Sequence, residues 1–167
     1  MIFHCTKTLA AKLPEVSEAP LANVNPIGSW HAHLHLIDRR QCVMFCHDTT
    51  RFILFQAGLR KEQFNNLGQL HMELFKNTLI FLDVLDSSIK RVELAMGPAL
   101  FDTATDRSVL ATLNQSRSNF DHFIFDYRNI LEVDSVIAAR WLNETPMRAR
   151  GVLMLPDKSM LDLVGKL

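Results

Sequence analysis

Residues 30–48, Trp-His-Ala-His-Leu-His-Leu-Ile-Asp-Arg-Arg-Gln-Cys-Val-Met-Phe-Cys-His-Asp, alternate twice about a short charged break, and no other stretch constrains the fold as much. Apolar residues with a period of two mark a strand with one buried face, and two such runs back to back make a β-hairpin. With the turn centred on Arg39-Arg40, one face carries Trp30, Ala32, Leu34, Leu36, Val43 and Phe45. That is a core face, and each large member contributes roughly 1.5–3 kcal/mol on burial. The other face carries His31, His33, His35, Cys42, Met44, Cys46 and Asp48. In this register His33 lies opposite Cys46 and His31 opposite Asp48. A three-residue loop shifts the pairing by one and puts His47 among the histidines in place of Cys46. Arg-Arg is poor chemistry for a two-residue primed turn, which favours Gly, Asn or Asp.

Around the hairpin, residues 1–5 and about 51–56 read as strands, and the short connections on either side of 41–47 favour an antiparallel meander. Thr6 opens a short helix, Lys7–Leu13, ended by Pro14. Pro14 to Ser29 holds three prolines and reads as a long connection, either a lid or a crossing at one end of the sheet. From Lys61, the residues Phe64, Leu67, Leu70, Leu74, Thr78, Phe81 and Leu85 recur at helical spacing, and the apolar last turns are expected to be buried. A helix from Ser87 or Ser88 runs to Met96, stopped by Gly97-Pro98. Ala99–Thr103 reads as a strand. Thr105 or Asp106 opens a further helix, which continues or restarts at Ser116 or Ser118. Ile130–Leu142 is a further helix, Gly151–Leu155 a closing strand and Asp157–Val164 a terminal helix. Strands first and helices after predict one α+β domain over residues 1–167, with an antiparallel β-meander sheet of about four or five strands packed against several helices.

Several function classes are disfavoured. With 18 basic and 18 acidic side chains the net charge is zero, so global charge gives no argument for nucleic acid or an anionic membrane. Apolar runs such as Leu79-Ile80-Phe81-Leu82 are too short to span a bilayer. The opening residues lack the pattern of a signal peptide. Cys5, Cys42 and Cys46 have no framework spacing, which fits a reducing, cytoplasmic setting. Zero net charge is compatible with a homo-oligomer. There is no P-loop, no Gly-x-Gly-x-x-Gly and no Gly-x-Ser-x-Gly. Cys46 and His47 are neighbours in a strand and point to opposite faces, so they do not form a nucleophile–base pair.

Two constellations remain. His31, His33 and His35 share a strand face with Cys46 and Asp48 across from them, a set zinc can use, and a metal-bound water would then be the nucleophile of a hydrolase. The same face, with Cys42 and Met44 on it, equally suits packing under helices, and short metal-ligand spacings are absent. The second set is basic: Arg39, Arg40, Arg51, Arg60 and Lys61 sit at the ends of the meander, as a rim for phosphate or an acidic partner or as a solvated sheet edge. Asp106 before Arg107-Ser108 is a helix cap, and Asn143 before Glu144-Thr145-Pro146 bonds backbone groups at a helix exit. The leading expectation is a cofactor-free binding or regulatory module acting through a protein or nucleic-acid partner. The alternative is the zinc-assisted hydrolase.

Met1-Ile2-Phe3-His4-Cys5-Thr6-Lys7, Gly28-Ser29-Trp30-His31-Ala32, Ile37-Asp38-Arg39-Arg40-Gln41-Cys42, Asp48-Thr49-Thr50-Arg51-Phe52, Gly58-Leu59-Arg60-Lys61, Arg107-Ser108-Val109-Leu110 and Leu142-Asn143-Glu144-Thr145-Pro146-Met147 together resemble a family of short bacterial proteins defined as a domain of unknown function. The resemblance covers roughly residues 1–147 and implies a bacterial cytoplasmic protein, with no activity to carry over. At the positions of His33 and His47 the family more often has asparagine, which argues against a shared metal site there. Trp30, His31, Asp38, Arg39 and Arg40 match, so the resemblance places any shared function on those elements.

Overall fold

The hairpin forms, with its turn one residue earlier than Arg39-Arg40. The computed structural model describes residues 1–22, 25–149 and 151–167. In chain order the elements are β1 (Ile2–Cys5), α1 (Lys7–Ala10), β2 (Trp30–Ile37), β3 (Arg40–His47), β4 (Ile53–Gln56), α2 (Lys61–Asn65), α3 (Leu67–Phe81), α4 (Asp86–Met96) and β5 (Leu100–Asp102). Then follow α5 (Arg107–Ile124), a 3-10 turn (Ile130–Glu132), α6 (Ser135–Glu144), β6 (Met147–Ala149), β7 (Val152–Met154) and α7 (Pro156–Gly165).

Asp38 and Arg39 form the hairpin turn with φ of 49° and 61°. A primed turn needs the left-handed region at both positions, and aspartate accepts it more readily than arginine. The Asp38 carboxylate also accepts a 2.9 Å bond from the Ile130 N–H, which ties the hairpin tip to the 3-10 turn. The pairing therefore sets Trp30 opposite His47, His31 opposite Cys46, His33 opposite Met44 and His35 opposite Cys42. The slip relative to the expected register is two residues, an even number, so side chains keep the faces read from the sequence and the partners change; Leu36, expected in the core, is instead 70% exposed near the hairpin tip.

The sheet departs from a meander. Its order is β4-β3-β2-β1-β5, and only β2, β3 and β4 run antiparallel. β1 is parallel to both its neighbours, β2 and β5. Parallel pairing requires long connections, and the Pro14–Ser29 segment supplies one. It crosses at β5: the Ser17 N–H bonds the Phe101 carbonyl at 2.8 Å, and the Leu21 N–H bonds Asp102 Oδ2 at 2.8 Å. Residues 23 and 24 of that segment lie outside the described residues.

Helices cover both faces. Phe3, Trp30, Phe45, Phe52 and Leu54 pack with Leu74, Phe75 and Leu79 of α3, Val92 of α4 and Met160 of α7. Cys42, Met44, Cys46, Ile53 and Phe55 pack with Val109, Leu113 and Phe120 of α5 and Leu142 of α6. The face bearing the histidines is thus the floor of a second core, not a solvated surface.

Other differences are local. The helix expected from Lys61 breaks at Asn66 into α2 and α3. The end of α3 is not fully buried: Thr78 and Leu79 are turned inward, while Ile80 and Phe81 are 57% and 39% exposed. The Ile130–Leu142 helix is a 3-10 turn followed by α6, which Asp134 starts by accepting from the Val136 and Ile137 N–H groups. The strand near Gly151–Leu155 pairs with β6 in a separate two-stranded sheet. Asn143 reaches from α6 to the outer edge of β4, accepting from the Ile53 N–H at 2.7 Å and donating to the Ile53 carbonyl at 2.7 Å. It completes that strand's hydrogen bonding as a neighbouring strand would.

Candidate functional site

The insertion of β1 aligns three polar residues on one row of the sheet: His4 is the register partner of His31 on one side and of Asp102 on the other. The row lies at the carboxyl ends of parallel strands β1 and β5, next to the end of β3, where Asp48 follows His47. Connections leave β1 to one neighbour and enter β5 from elsewhere in the chain, so this is a switch point of the kind where open α/β sheets bind ligands.

Asp102 is 1% exposed. It accepts from the Leu21 N–H at 2.8 Å, the Ala104 N–H at 3.0 Å and His4 Nδ1 at 2.7 Å. With three donors around it the Asp102 carboxyl group serves as an acceptor toward His4, which assigns the proton of a neutral His4 to Nδ1. His4 Nε2 then carries a lone pair, and it points toward Asp48 Oδ2 at 3.8 Å. The His4 side chain retains 12% exposure.

His31 is fixed differently. A backbone N–H can only donate, and the Asp106 N–H reaches His31 Nε2 at 2.6 Å. The His31 proton is therefore on Nδ1, which donates to Asp48 Oδ1 at 2.6 Å. The Ser29 hydroxyl donates to the other oxygen, Oδ2, at 2.6 Å. Burial works against ionisation of Asp48, but the bonds from His31 and Ser29 outweigh it and hold its carboxyl below the usual range. Asp106 is the expected helix cap: its carboxylate accepts from the Ser108 and Val109 N–H groups at the start of α5.

The residues singled out in the sequence separate into three places. His31 and Asp48 are brought together, but both ring nitrogens of His31 are already engaged. His33 and His35 lie further along β2 with ring centroids 4.2 Å apart. Burial lowers the pKa of His33, and burial with the nearby His33 and Arg117 charges brings that of His35 down to about 4. Cys46 is fully buried, and burial pushes its thiol up to about 12. Among the described residues no group of three or more His, Cys, Asp or Glu side chains is gathered closely enough to hold a metal ion.

Of the basic set, Arg39, Arg40 and Arg60 border a depression of about 350 Å³ with Gln41, Gly58 and Leu131. Lys61 follows Arg60 in the chain. Arg51 is elsewhere. It is 3% exposed, sits at φ 60° after the β3 end, and donates from Nη2 to Ser108 Oγ at 3.1 Å. Its Nε and Nη1 have no partner among the described residues.

His4, Asp102 and Ser29 were absent from the sequence candidates. The alternation of residues 1–5 marked a strand, but nothing local to those residues says which strands flank it. His4 and Asp102 are 98 positions apart.

No helix among the described residues is long and apolar enough to cross a membrane. No curated protein matches the chain. The family model described as a domain of unknown function (DUF6933) matches residues 2–158, and the chain belongs to that family.

Proposed function

We propose that the protein is an enzyme of hydrolytic type, with His4 as its acid–base residue. The observation that carries this reading is the pairing of His4 Nδ1 with the buried Asp102 carboxylate at 2.7 Å while Nε2 faces Asp48 Oδ2 at 3.8 Å. A buried carboxylate behind an imidazole sets its tautomer and stabilises the imidazolium that forms on proton uptake. A separation of 3.8 Å lets one water bond both Nε2 and Oδ2 at ordinary lengths. His4 takes a proton from that water as it attacks and returns it to the leaving group. Asp48, held by Ser29 and His31, orients the water. His31 serves as a positioning residue.

The test is turnover of a panel of p-nitrophenyl esters, phosphate mono- and diesters by protein purified without a histidine tag. His4→Ala is expected to lower kcat about 10²- to 10⁴-fold, the usual contribution of a positioned acid–base residue. Asp102→Asn should lower kcat with little change in KM, and circular dichroism should show both variants folded. Absence of turnover across the panel, or turnover unchanged in His4→Ala, overturns the reading.

A second reading, a binding module for an anionic protein or nucleic acid, is favoured by one observation. Arg39, Arg40 and Arg60 surround one depression, and among the described residues neither they nor Lys61 form an ion pair. Reversing the four charges to Glu should abolish retention on a heparin column at low salt and leave the melting temperature nearly unchanged. Equal retention of the variant removes this reading. Arg51, being buried, plays no part in it.

A further inference from the structure

We propose that the cleft between α5 and α6 binds a nucleoside monophosphate. The cleft has a volume of about 490 Å³, within the range of small-ligand sites. None of its lining residues belongs to the His4 cluster, so this inference stands apart from the hydrolytic reading.

Its α5 wall is a stripe of neutral hydrogen-bonding side chains, Ser108, Thr112, Gln115 and Asn119. Spacings of four, three and four place them on one helix face. Gln115 Nε2 donates to Asn119 Oδ1 at 3.1 Å. That bond leaves the Gln115 carbonyl oxygen as an acceptor and the Asn119 amide nitrogen as a donor on the same helix face. A donor beside an acceptor is the complement of a base edge, as in amide recognition of adenine. The facing wall includes Trp141, whose indole is backed by Phe123 at 5.2 Å and Phe120 at 6.5 Å. A half-buried indole so backed is a rigid platform on which a base can stack.

The charge of the cleft selects the rest of the ligand. Arg148 lines it, and among the described residues no carboxylate does. At the Ser108 end lie the first turn of the 18-residue α5 and the buried Arg51, which donates to the Ser108 hydroxyl at 3.1 Å. Arg51 is 3% exposed, with Nε and Nη1 unpartnered among the described residues, so its charge is not cancelled by an ion pair there. Asp106 already accepts from the Ser108 and Val109 N–H groups, so the anion is favoured by the two guanidinium groups, Arg51 behind Ser108 and Arg148 on the lining, and the base lies between Trp141 and Gln115.

Isothermal titration of the full chain with AMP, GMP, CMP and UMP, their nucleosides and inorganic phosphate tests the inference. At least one monophosphate should bind saturably at one site, more tightly than its nucleoside and more tightly than phosphate alone. Trp141→Ala should weaken that binding at least tenfold, and Trp141→Phe should largely restore it. Gln115→Leu with Asn119→Leu, on a surface that tolerates change, should erase the preference among bases. Arg148→Ala should weaken the nucleotide and leave the nucleoside unaffected. No saturable binding by any monophosphate overturns the proposal. So does phosphate alone binding as tightly as the nucleotides, or an unchanged affinity in a folded Trp141→Ala protein. Should Trp141→Ala fail to fold, unchanged affinity and base preference in the Gln115/Asn119 variant overturn it equally.

Discussion

His47 bonds the Ile27 carbonyl through Nε2 at 2.6 Å and faces the Thr50 N–H and hydroxyl through Nδ1. The carbonyl can only accept and the N–H can only donate, so the ring is neutral with its proton on Nε2. His71 is 0% exposed, and its ring sits among Trp30, Phe3 and Phe45, with neither nitrogen hydrogen-bonded among the described residues. Burial pushes His47 down to about 4 and His71 well below its ordinary value. In the unfolded chain both titrate near about 6.5. Stability is therefore fully present above that pH and falls as acid is added, because the unfolded chain takes up protons that the folded one refuses. The decline runs from about 6.5 toward about 4, at up to about 1.4 kcal/mol per pH unit for each histidine. Urea unfolding followed at several pH values across that interval should show this slope. His71→Phe, which removes two orphaned nitrogens, should make it shallower and leave neutral-pH stability equal or higher. A slope identical to that of the unmodified protein would show that His71 does not supply it.

At the scale of elements, two contacts hold the frame that places the site. Asn143 occupies the open edge of β4. Asn143→Ala would leave the Ile53 N–H and carbonyl without their partners, at a cost of about 2–4 kcal/mol, and would bare a strand edge. A lowered urea midpoint together with light scattering on gentle heating would register both effects. Gly68 is the point where α3 approaches the start of β5: a Cβ there would lie 2.2 Å from the Ala99 Cβ. Gly68→Ala should cost about 1–3 kcal/mol by overpacking, although alanine is by itself the better helix former by about 1 kcal/mol. An unchanged urea midpoint would mean that α3 shifts freely against β5.

Much of this layer was legible because it is local. Strand parity over residues 30–47 depends only on neighbouring residues, so the faces were readable even though the turn sits at Asp38-Arg39. The caps at Asp106 and Asp134 belong to the same category: the Asp106 cap was read directly, while the Asp134 cap went unread because Ile130–Leu142 looked like one helix. The role of β1 was not legible, since four residues carry no mark of the strands beside them. His31 and Asp48 were found because a hairpin joins them. His4 and Asp102 were missed because only the completed sheet brings them together.

The whole molecule has two apolar layers that share one sheet. β3 contributes Val43 and Phe45 to one side and Cys42, Met44 and Cys46 to the other. Loosening either side removes support from the same strand, so the two sides are expected to unfold together. Phe75→Ala on one side and Phe120→Ala on the other should each lower stability by about 3–5 kcal/mol. In both variants circular dichroism and tryptophan fluorescence should trace one coincident transition. A variant with two separated transitions would show that the sides melt independently.

The interior place of β1, between β2 and β5, has a consequence for how the chain is made. Its first residues leave the ribosome long before Leu100–Asp102, the strand that must flank them. Until then the nascent segment Ile2–Cys5 carries an unmatched backbone edge beside bulky apolar side chains, open to mispairing or to chaperone capture. Assembly of the His4–Asp102 pair is thus a late event in synthesis, and slow translation across residues 60–100 prolongs the vulnerable interval.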